Sequence, residues 1–144
     1  MPHPALATGR AAVVTGAASG IGLAACKRFA ELGMKVCLAD VAPLDDAVSA
    51  VAALAQNGRD DIRAVTTDVS KLDELQTLCA TVLAEFGEIG ILMNNAVTRL
   101  ENTTWTAEAN WRQTFDINFM GVVNGVHAFA PGMIAQSHPS LIVN

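Results

Sequence analysis

The sequence predicts a doubly wound α/β fold, in which five parallel strands in the order 3-2-1-4-5 carry helices on both faces, giving three layers. Two observations predict it. Strand patterns alternate with helical patterns along the 144 residues, and the connections are short, so right-handed crossovers build one parallel sheet. The composition agrees, because 51% of the residues are hydrophobic and 16% are charged, as in a compact α/β protein.

Short apolar runs predict the strands, and their carboxyl ends are expected at one edge of the sheet. The five runs are Ala11 to Thr15, Val36 to Asp40, Ile62 to Asp68, Ile89 to Asn95 and Leu141 to Asn144.

Apolar residues at helical spacing predict four helices between these strands. The first has Ile21, Ala25, Phe29 and Leu32 on its buried face and ends at Gly33; the second has Leu44, Val48, Val51 and Leu54 and is followed by Gly58. The third carries Leu72, Leu75, Cys79, Val82 and Phe86, between an N-cap at Ser70, with Asp73 three residues on, and a stop at Gly87. The long fourth runs from about Thr106 to Gln136, with Phe115, Phe119, Val122, Val126, Phe129 and Met133 on one side.

The turn between the first strand and the first helix is the most informative motif. Gly16, Gly20 and Gly22 lie in a run where glycine permits positive φ and close approach of a ligand. The next helix directs its free N–H groups and positive dipole end at whatever lies over the turn. A pyrophosphate fits there, so a dinucleotide is predicted, with Ser19 and Ile21 as further contacts. A structural turn is the alternative; a P-loop is disfavoured, because no Gly-Lys-Ser/Thr sequence ends the motif.

Asp40 closes the second strand and points to the cofactor's identity. A carboxylate there reaches the hydroxyl groups of the adenosine ribose and repels a 2′-phosphate, so NAD is predicted over NADP. The next residue is Val41, not Arg or Lys, which agrees, and Val41 is predicted to contact the cofactor. The alternative is a solvated loop aspartate.

Two more strand ends carry polar residues to the same edge. Asp68 can accept a hydrogen bond from an adenine amino group while Val69 packs on the ring, although alone it would more often be a helix-capping aspartate. The amides of Asn94 and Asn95 are expected to link neighbouring strands and, with Ala96, to brace the cofactor loop.

Together with Asn118, in the run Phe-Asp-Ile-Asn-Phe-Met-Gly, these motifs resemble the short-chain dehydrogenase/reductase family over nearly the whole chain. The resemblance implies a Rossmann-like domain and NAD(P)-dependent oxidation of an alcohol, or reduction of a ketone, by hydride transfer. It implies a catalytic role for Asn118 at a kink in the long helix, where a freed backbone carbonyl holds a water of a proton relay. It also implies that Val97 belongs to the cofactor loop, where the family usually has glycine.

The family also uses residues that this sequence does not contain. These are a serine just past the fifth strand and a later Tyr-x-x-x-Lys; the chain has no tyrosine, and Ser140 precedes the strand. We therefore expect residues 1–144 to be a dinucleotide-binding domain truncated after its fifth strand and inactive alone. The intact enzyme is expected to be a homo-oligomer, a dimer or tetramer.

Charge and histidine spacing disfavour two kinds of partner. The net charge of −5 argues against nucleic acid. His3, His127 and His138 lack the spacing of metal ligands, so no metal site is predicted.

Cysteine usage and hydropathy indicate a cytoplasmic protein. Cys26, Cys37 and Cys79 show no paired spacing and are predicted to be reduced, mostly buried thiols. No signal peptide is recognised, and no apolar stretch approaching ~20 residues suggests a membrane span. Gly121 and Gly125 predict close helix packing rather than a membrane dimer.

Two other functions remain open from the sequence. The chain could be a non-catalytic module that binds or senses a dinucleotide, which the missing tyrosine fits. It could also be a methyltransferase, which shares the glycine-rich turn and the acidic second strand end. The Asn94–Ala96 and Asn118 matches speak against the methyltransferase.

Overall fold

One parallel sheet organises the fold. The computed structural model describes residues 3–99 and 107–144. The strands are β1 (Ala11–Thr15), β2 (Lys35–Asp40), β3 (Ile62–Thr66), β4 (Ile91–Met93) and β5 (Leu141–Val143). They lie in the order β3-β2-β1-β4-β5, with every neighbouring pair parallel, so the predicted topology is confirmed.

Five helical segments connect the strands. They are α1 (Gly20–Glu31), α2 (Asp45–Ala52), α3 (Leu72–Phe86), α4 (Glu108–Phe115) and α5 (Gly121–Ala135). A 3₁₀ turn at Gly58–Asp61 leads into β3, and a π-helical turn at Asp116–Met120 joins α4 to α5 in one long helix. Thr106, where this helix was predicted to begin, lies outside the described residues.

Helices cover both faces of the sheet, as predicted. Val13 of β1 belongs to a buried cluster with Leu75 of α3 and Phe129 of α5. Its neighbour Val14 belongs to a second cluster with Cys26 of α1 and the buried face of α2. Since successive strand residues point to opposite faces, β1 contributes to both cores, and the three-layer architecture follows.

The buried face of α1 differs from the prediction. Gly22, Cys26 and Ala30 are buried, whereas Ile21 is 74% exposed. These small residues at four-residue spacing let the helix lie close to the sheet, which hydrophobicity alone does not reveal. Ile21 instead borders the cavity described below.

The predicted face of the long helix is correct at only one end. Phe129 and Met133 are buried, but Phe115 and Phe119 are about half exposed and stack on each other at 4.8 Å between ring centroids. The π-helical turn adds a residue between these parts and rotates the later residues relative to the earlier ones. A prediction that uses a constant period of 3.6 residues therefore assigns the wrong buried face on one side of the π-helical turn.

The predicted end of the third strand and one helix cap shift by one or two residues. β3 ends at Thr66, after which the N–H of Thr67 donates to the Asp40 carbonyl at 3.0 Å and the N–H of Asp68 donates to Glu74 Oε2 at 2.7 Å. The N-cap of α3 is Lys71 and not Ser70, whose hydroxyl donates to Asp68 Oδ1 (2.7 Å). Gly87 ends α3 in the left-handed conformation, as predicted.

The three cysteines are free and buried, as predicted. Burial raises the pKa of the Cys26 and Cys37 thiols to about 12, so both stay protonated and weakly nucleophilic at neutral pH.

One helix contradicts the prediction that no apolar stretch is long enough to cross a membrane. Within the described ranges, the segment Glu108–Ala135 is long and apolar enough to do so. The core helix of a globular domain passes the same test. Here Phe129 is fully buried, and the Asn124 amide donates to the Val69 carbonyl at 3.0 Å. We therefore interpret the segment as a packed helix of the domain.

Gly125 provides a test of the close approach of α5 to the sheet. A Cβ there would overlap Asn94 Oδ1, and Asn94 is itself buried and bound to Asn144. We expect Gly125→Ala to lower the free energy of unfolding by about 2–3 kcal/mol in urea denaturation, since a packed core resists added volume.

Gly132→Ala in the same helix is the matched control. The nearest atom to its Cβ would be Leu83 Cδ1, at an ordinary 3.9 Å. This variant should raise the free energy of unfolding by about 0.5–1 kcal/mol through helix propensity. Equal effects of the two substitutions would contradict the packing assignment.

Candidate functional site

An open cavity of about 600 Å³ lies at the carboxyl edge of the sheet. It lies beside the ends of β1, β2 and β4, where the chain reverses its direction of winding and where ligands bind in folds of this type. Its lining residues are Gly16, Ala18, Ser19, Gly20, Ile21, Asp40, Val41, Ala42, Thr67, Asp68, Val69, Asn95, Ala96, Val97, Thr98, Arg99, Gln113 and Ile117. All the predicted cofactor contacts are among them except Gly22.

The glycine turn forms the floor of this cavity. Gly16 has φ +67°, and a Cβ there would lie 2.8 Å from Ala96 Cα, so only glycine lets the two loops touch. Gly22 lies behind the turn, where a Cβ would overlap the Gly16 carbonyl oxygen. α1 begins at Gly20, and its N-cap, Ser19, makes no side-chain capping bond. First-turn N–H groups thus remain for a ligand at the cavity.

Asp40 is held by the backbone on both sides. Its Oδ2 accepts the N–H of Ala18 in the glycine turn at 2.9 Å, and its Oδ1 accepts the N–H of Ala42 at 3.0 Å. The carboxylate therefore links the end of β2 to the turn and borders the cavity. It is not the freely solvated loop aspartate of the alternative interpretation.

Asp68 lies at the same edge in a network of charged and polar groups. Its Oδ1 accepts bonds from the Ser70 N–H (3.0 Å) and hydroxyl (2.7 Å), and its Oδ2 lies 3.5 Å from Lys71 Nζ. Burial favours the neutral carboxyl, but these partners outweigh it, so the pKa of Asp68 lies below its usual value. Asp68 is therefore an ionised acceptor at neutral pH.

Thr15 and Asn95 join the ends of β1 and β4. The Thr15 hydroxyl oxygen accepts the N–H groups of Asn95 (3.0 Å) and Ala96 (3.1 Å). The Asn95 amide donates to the carbonyls of Thr15 (3.0 Å) and Gly16 (3.2 Å). The predicted linking role of Asn95 is therefore seen. Thr15, only 2% exposed, was not predicted as a site residue, although a threonine ending a buried strand was a signal for it.

Asn94 links β4 to β5 in a comparable way. Its N–H donates to the Val143 carbonyl and its amide to Asn144 Oδ1, both at 2.8 Å. Among the described residues no hydrogen-bond donor reaches its Oδ1, which lies against Gly125.

Asn118 lies in the π-helical turn, in the part of the long helix where the family resemblance implied a kink. Its Oδ1 accepts the Thr98 N–H at 2.7 Å, and its Nδ2 donates to the Thr98 carbonyl at 2.9 Å. This pair of bonds attaches the loop after β4 to the long helix. Ile117, and not Asn118, lines the cavity directly.

The cavity has an uneven charge and an apolar rim. Asp40 and Asp68 lie toward β2 and β3, whereas Arg99 follows β4. Ile21, Val41 and Val97 are 74%, 67% and 71% exposed, although all three line the cavity. A ligand with apolar surface would cover them.

Four polar lining residues were missed by the sequence analysis. Thr67, Thr98, Arg99 and Gln113 reach the cavity from loops and from α4. Thr98 and Arg99 are the second and third residues after the Asn-Asn-Ala run, and this closeness was a usable signal. Gln113 carried none, because its place depends on how α4 packs.

The chain matches known proteins along almost its whole length. A sequence model described as short chain dehydrogenase matches residues 10–144. The 1-deoxy-11-beta-hydroxypentalenate dehydrogenase of Streptomyces avermitilis is 36% identical over 135 residues, which are 92% of this chain and 49% of that protein. This chain thus spans about half the length of the relatives that it matches.

Solved structures share the fold. A short chain dehydrogenase/reductase from Burkholderia phymatum, in complex with NAD, superposes with a TM-score of 0.86 at 36% identity, covering 100% of this chain and 50% of that one. A metagenomic short-chain oxidoreductase in complex with NADP gives 0.82 at 30% identity, covering 95% and 62%. The similarity favours a dehydrogenase over the methyltransferase alternative.

The Thr15–Asn95 junction can be tested by stability. Thr15→Val keeps the shape of the side chain but leaves the N–H groups of Asn95 and Ala96 without their acceptor. We expect the free energy of unfolding to fall by about 2–4 kcal/mol, because buried unpaired donors are costly. Thr15→Ser retains the oxygen and should cost less than about 1 kcal/mol. Similar losses in both variants, measured in urea, would contradict the assignment.

The contacts of Asp68 with Ser70 and Lys71 predict that stability depends on pH. Since the folded-state pKa is depressed, the stability from ionised Asp68 is present above the unfolded-state pKa, near ~4, and is lost as pH falls through the folded-state value. Ser70→Ala should raise the Asp68 midpoint in an NMR carboxyl titration. Ser49→Ala is the control and should leave the Asp68 midpoint unchanged, because the Ser49 hydroxyl lies on α2 and donates to the Asp45 carbonyl. If the Asp68 midpoint did not move in Ser70→Ala, the hydrogen bonds from Ser70 would not be what lowers the pKa of Asp68.

Proposed function

This chain belongs to the short-chain dehydrogenase family, and from that premise we propose that the intact protein transfers hydride between a nicotinamide cofactor and an alcohol or ketone. The observation that carries the proposal is the cradle in which Gly16 touches Ala96 while Asp40 and Asn95 hold the glycine turn from opposite sides. A relative with the same fold over this whole chain was solved with NAD.

The residues present fit a dinucleotide. Glycine at position 16 lets the turn lie against Ala96 beneath the cavity, and a ligand would cover the exposed apolar rim. We propose that the turn and the N-terminus of α1 bind the pyrophosphate. The adenosine half would lie toward Asp40, Val41, Asp68 and Val69. The other half would lie toward Ala96, Val97 and the loop held by Asn118. When bound, the cofactor supplies the hydride acceptor or donor.

The proposed cofactor is NAD rather than NADP. Asp40 borders the cavity as a carboxylate whose position two backbone N–H groups maintain. A carboxylate there accepts bonds from ribose hydroxyls and repels a 2′-phosphate. The next two residues, Val41 and Ala42, offer no compensating cation. Similar structures contain NAD or NADP, so the choice depends on Asp40.

The proposed role of Asn118 is to maintain a proton relay. Its side chain is engaged with Thr98, and it lies in a π-helical turn, where the regular helical bonding changes. A backbone carbonyl freed there would hold a water. The groups that accept the substrate proton, a tyrosine assisted by lysine, are not among these 144 residues. We propose that the rest of the intact protein supplies them and that this stretch alone is inactive.

The proposed partners are a small alcohol or ketone and further copies of the protein. Trp111, Phe115 and Phe119 on the long helix are each about half exposed. Such a row of aromatic residues favours burial in an interface between subunits. The proposed compartment is the cytoplasm, where disulfides are rare, and the three cysteines are free and buried.

Calorimetry on the intact protein tests the cofactor. NAD⁺ should bind more tightly than NADP⁺. Asp40→Asn should weaken the binding of NAD⁺ by about tenfold or more, because hydrogen bonds to a charged group are lost. The same variant should reduce the difference in affinity between NAD⁺ and NADP⁺. Asp46→Asn, in the exposed first turn of α2, is the control and should change the affinity for neither NAD⁺ nor NADP⁺.

Turnover by the same protein tests the reaction. NADH absorbance should rise when NAD⁺ is supplied with a member of a panel of secondary alcohols. If neither cofactor bound, the proposed dinucleotide site would be overturned. If NADP⁺ bound as tightly as NAD⁺, the proposed preference for NAD would be overturned.

A further inference from the structure

Four residues at the start of α3 form a closed network around Asp68. We call Asp68, Ser70, Lys71 and Glu74 the Asp68 network. Glu74 Oε2 accepts the backbone N–H of Asp68 at 2.7 Å, and its Oε1 pairs with Lys71 Nζ at 3.0 Å. Lys71 Nζ in turn lies 3.5 Å from Asp68 Oδ2. Glu74 therefore holds both the main chain of Asp68 and the cation beside its carboxylate.

The network leaves the two carboxylate oxygens of Asp68 unequal. Oδ1 accepts two hydrogen bonds from Ser70, whereas Oδ2 has one longer contact, with Lys71. Oδ2 is thus the oxygen with more capacity to accept a further bond. Asp68 and Val69 line the cavity, but Lys71 and Glu74 do not. These two act on a ligand only through Asp68.

The chemistry of the adenine base gives this arrangement a use. The exocyclic amino group of adenine donates hydrogen bonds and needs an oriented acceptor. We propose that Glu74 and Lys71 are positioning residues that aim Asp68 Oδ2 at this amino group and so set the selectivity of the site for its base. The inference rests on the proposed function, because it requires a dinucleotide in the cavity.

A positioning role and a merely structural role have different consequences. If Glu74 only stabilised the start of α3, its loss would weaken every dinucleotide alike. If Glu74 positions the Asp68 acceptor, its loss weakens the binding of a ligand that carries the amino group more than the binding of a ligand that lacks it. Nicotinamide hypoxanthine dinucleotide is such a ligand. In its base a carbonyl oxygen replaces the amino group and N1 carries a hydrogen, so an acceptor stands where adenine presents its exocyclic donor.

The experiment is calorimetry on the intact protein with NAD⁺ and with the hypoxanthine dinucleotide. The wild type should prefer NAD⁺ by about tenfold, as expected when one donor to a charged acceptor is replaced. Glu74→Ala and Lys71→Met should each reduce this ratio by about threefold or more, with little change in affinity for the hypoxanthine dinucleotide. Lys71 is 57% exposed in its side chain, so its variant remains informative if Glu74→Ala fails to fold.

Glu31→Ala is the matched control. Glu31 forms the same kind of pair, three residues from Arg28, at the far end of α1 from the cavity. It should leave both affinities unchanged. An unchanged ratio in Glu74→Ala and Lys71→Met, or a parallel loss of both dinucleotides, would overturn the inference. Wild-type protein that binds both equally would overturn it and leave the proposed function intact; wild-type protein that binds neither would overturn the proposed function itself.

Discussion

The site depends on the hydrogen bonds that join the carboxyl ends of β1 and β4. The ladder between these two strands ends at Val14 and Met93, and the backbone groups that follow have no ladder partners. The Thr15 hydroxyl accepts two N–H groups from the loop after β4, and the Asn95 amide donates back to two carbonyls of the glycine turn. Four bonds thus replace the missing ladder, and unpaired buried backbone groups would otherwise be costly. This junction holds the glycine turn against the loop after β4, and both segments line the cavity.

Carboxylates maintain the opposite side of the cavity through main-chain contacts. Asp40 binds the N–H of Ala18 and so fixes the glycine turn from the β2 side. Asp68 is oriented by Ser70 and by the pair of Lys71 with Glu74. Both side chains therefore border the cavity as acceptors held in position by their contacts. Preorganised acceptors of this kind lose less entropy on binding than mobile ones do.

Local patterns were sufficient for the order of elements and for most of the cavity lining. The glycine turn follows a buried strand, Asp40 ends the second strand, and Asp68 and Asn95 follow two others, so a parallel sheet brings them to one edge. The same patterns failed for Ile21 and Phe115. The small residues of α1 and the π-helical turn each changed which face is buried. Neither change alters hydrophobicity, which is the quantity that a periodicity analysis uses.

By itself the sequence determined the alternation of strands and helices, the glycine turn and the polar residue at each strand end, because these depend on neighbours in the chain. Only the tertiary structure decided which partners orient those polar residues. Thr15 and Asn95 lie 80 positions apart, and the Asn118 amide reaches Thr98 across 20. Such contacts depend on strand register and helix phase, which are set by the packing of the whole domain.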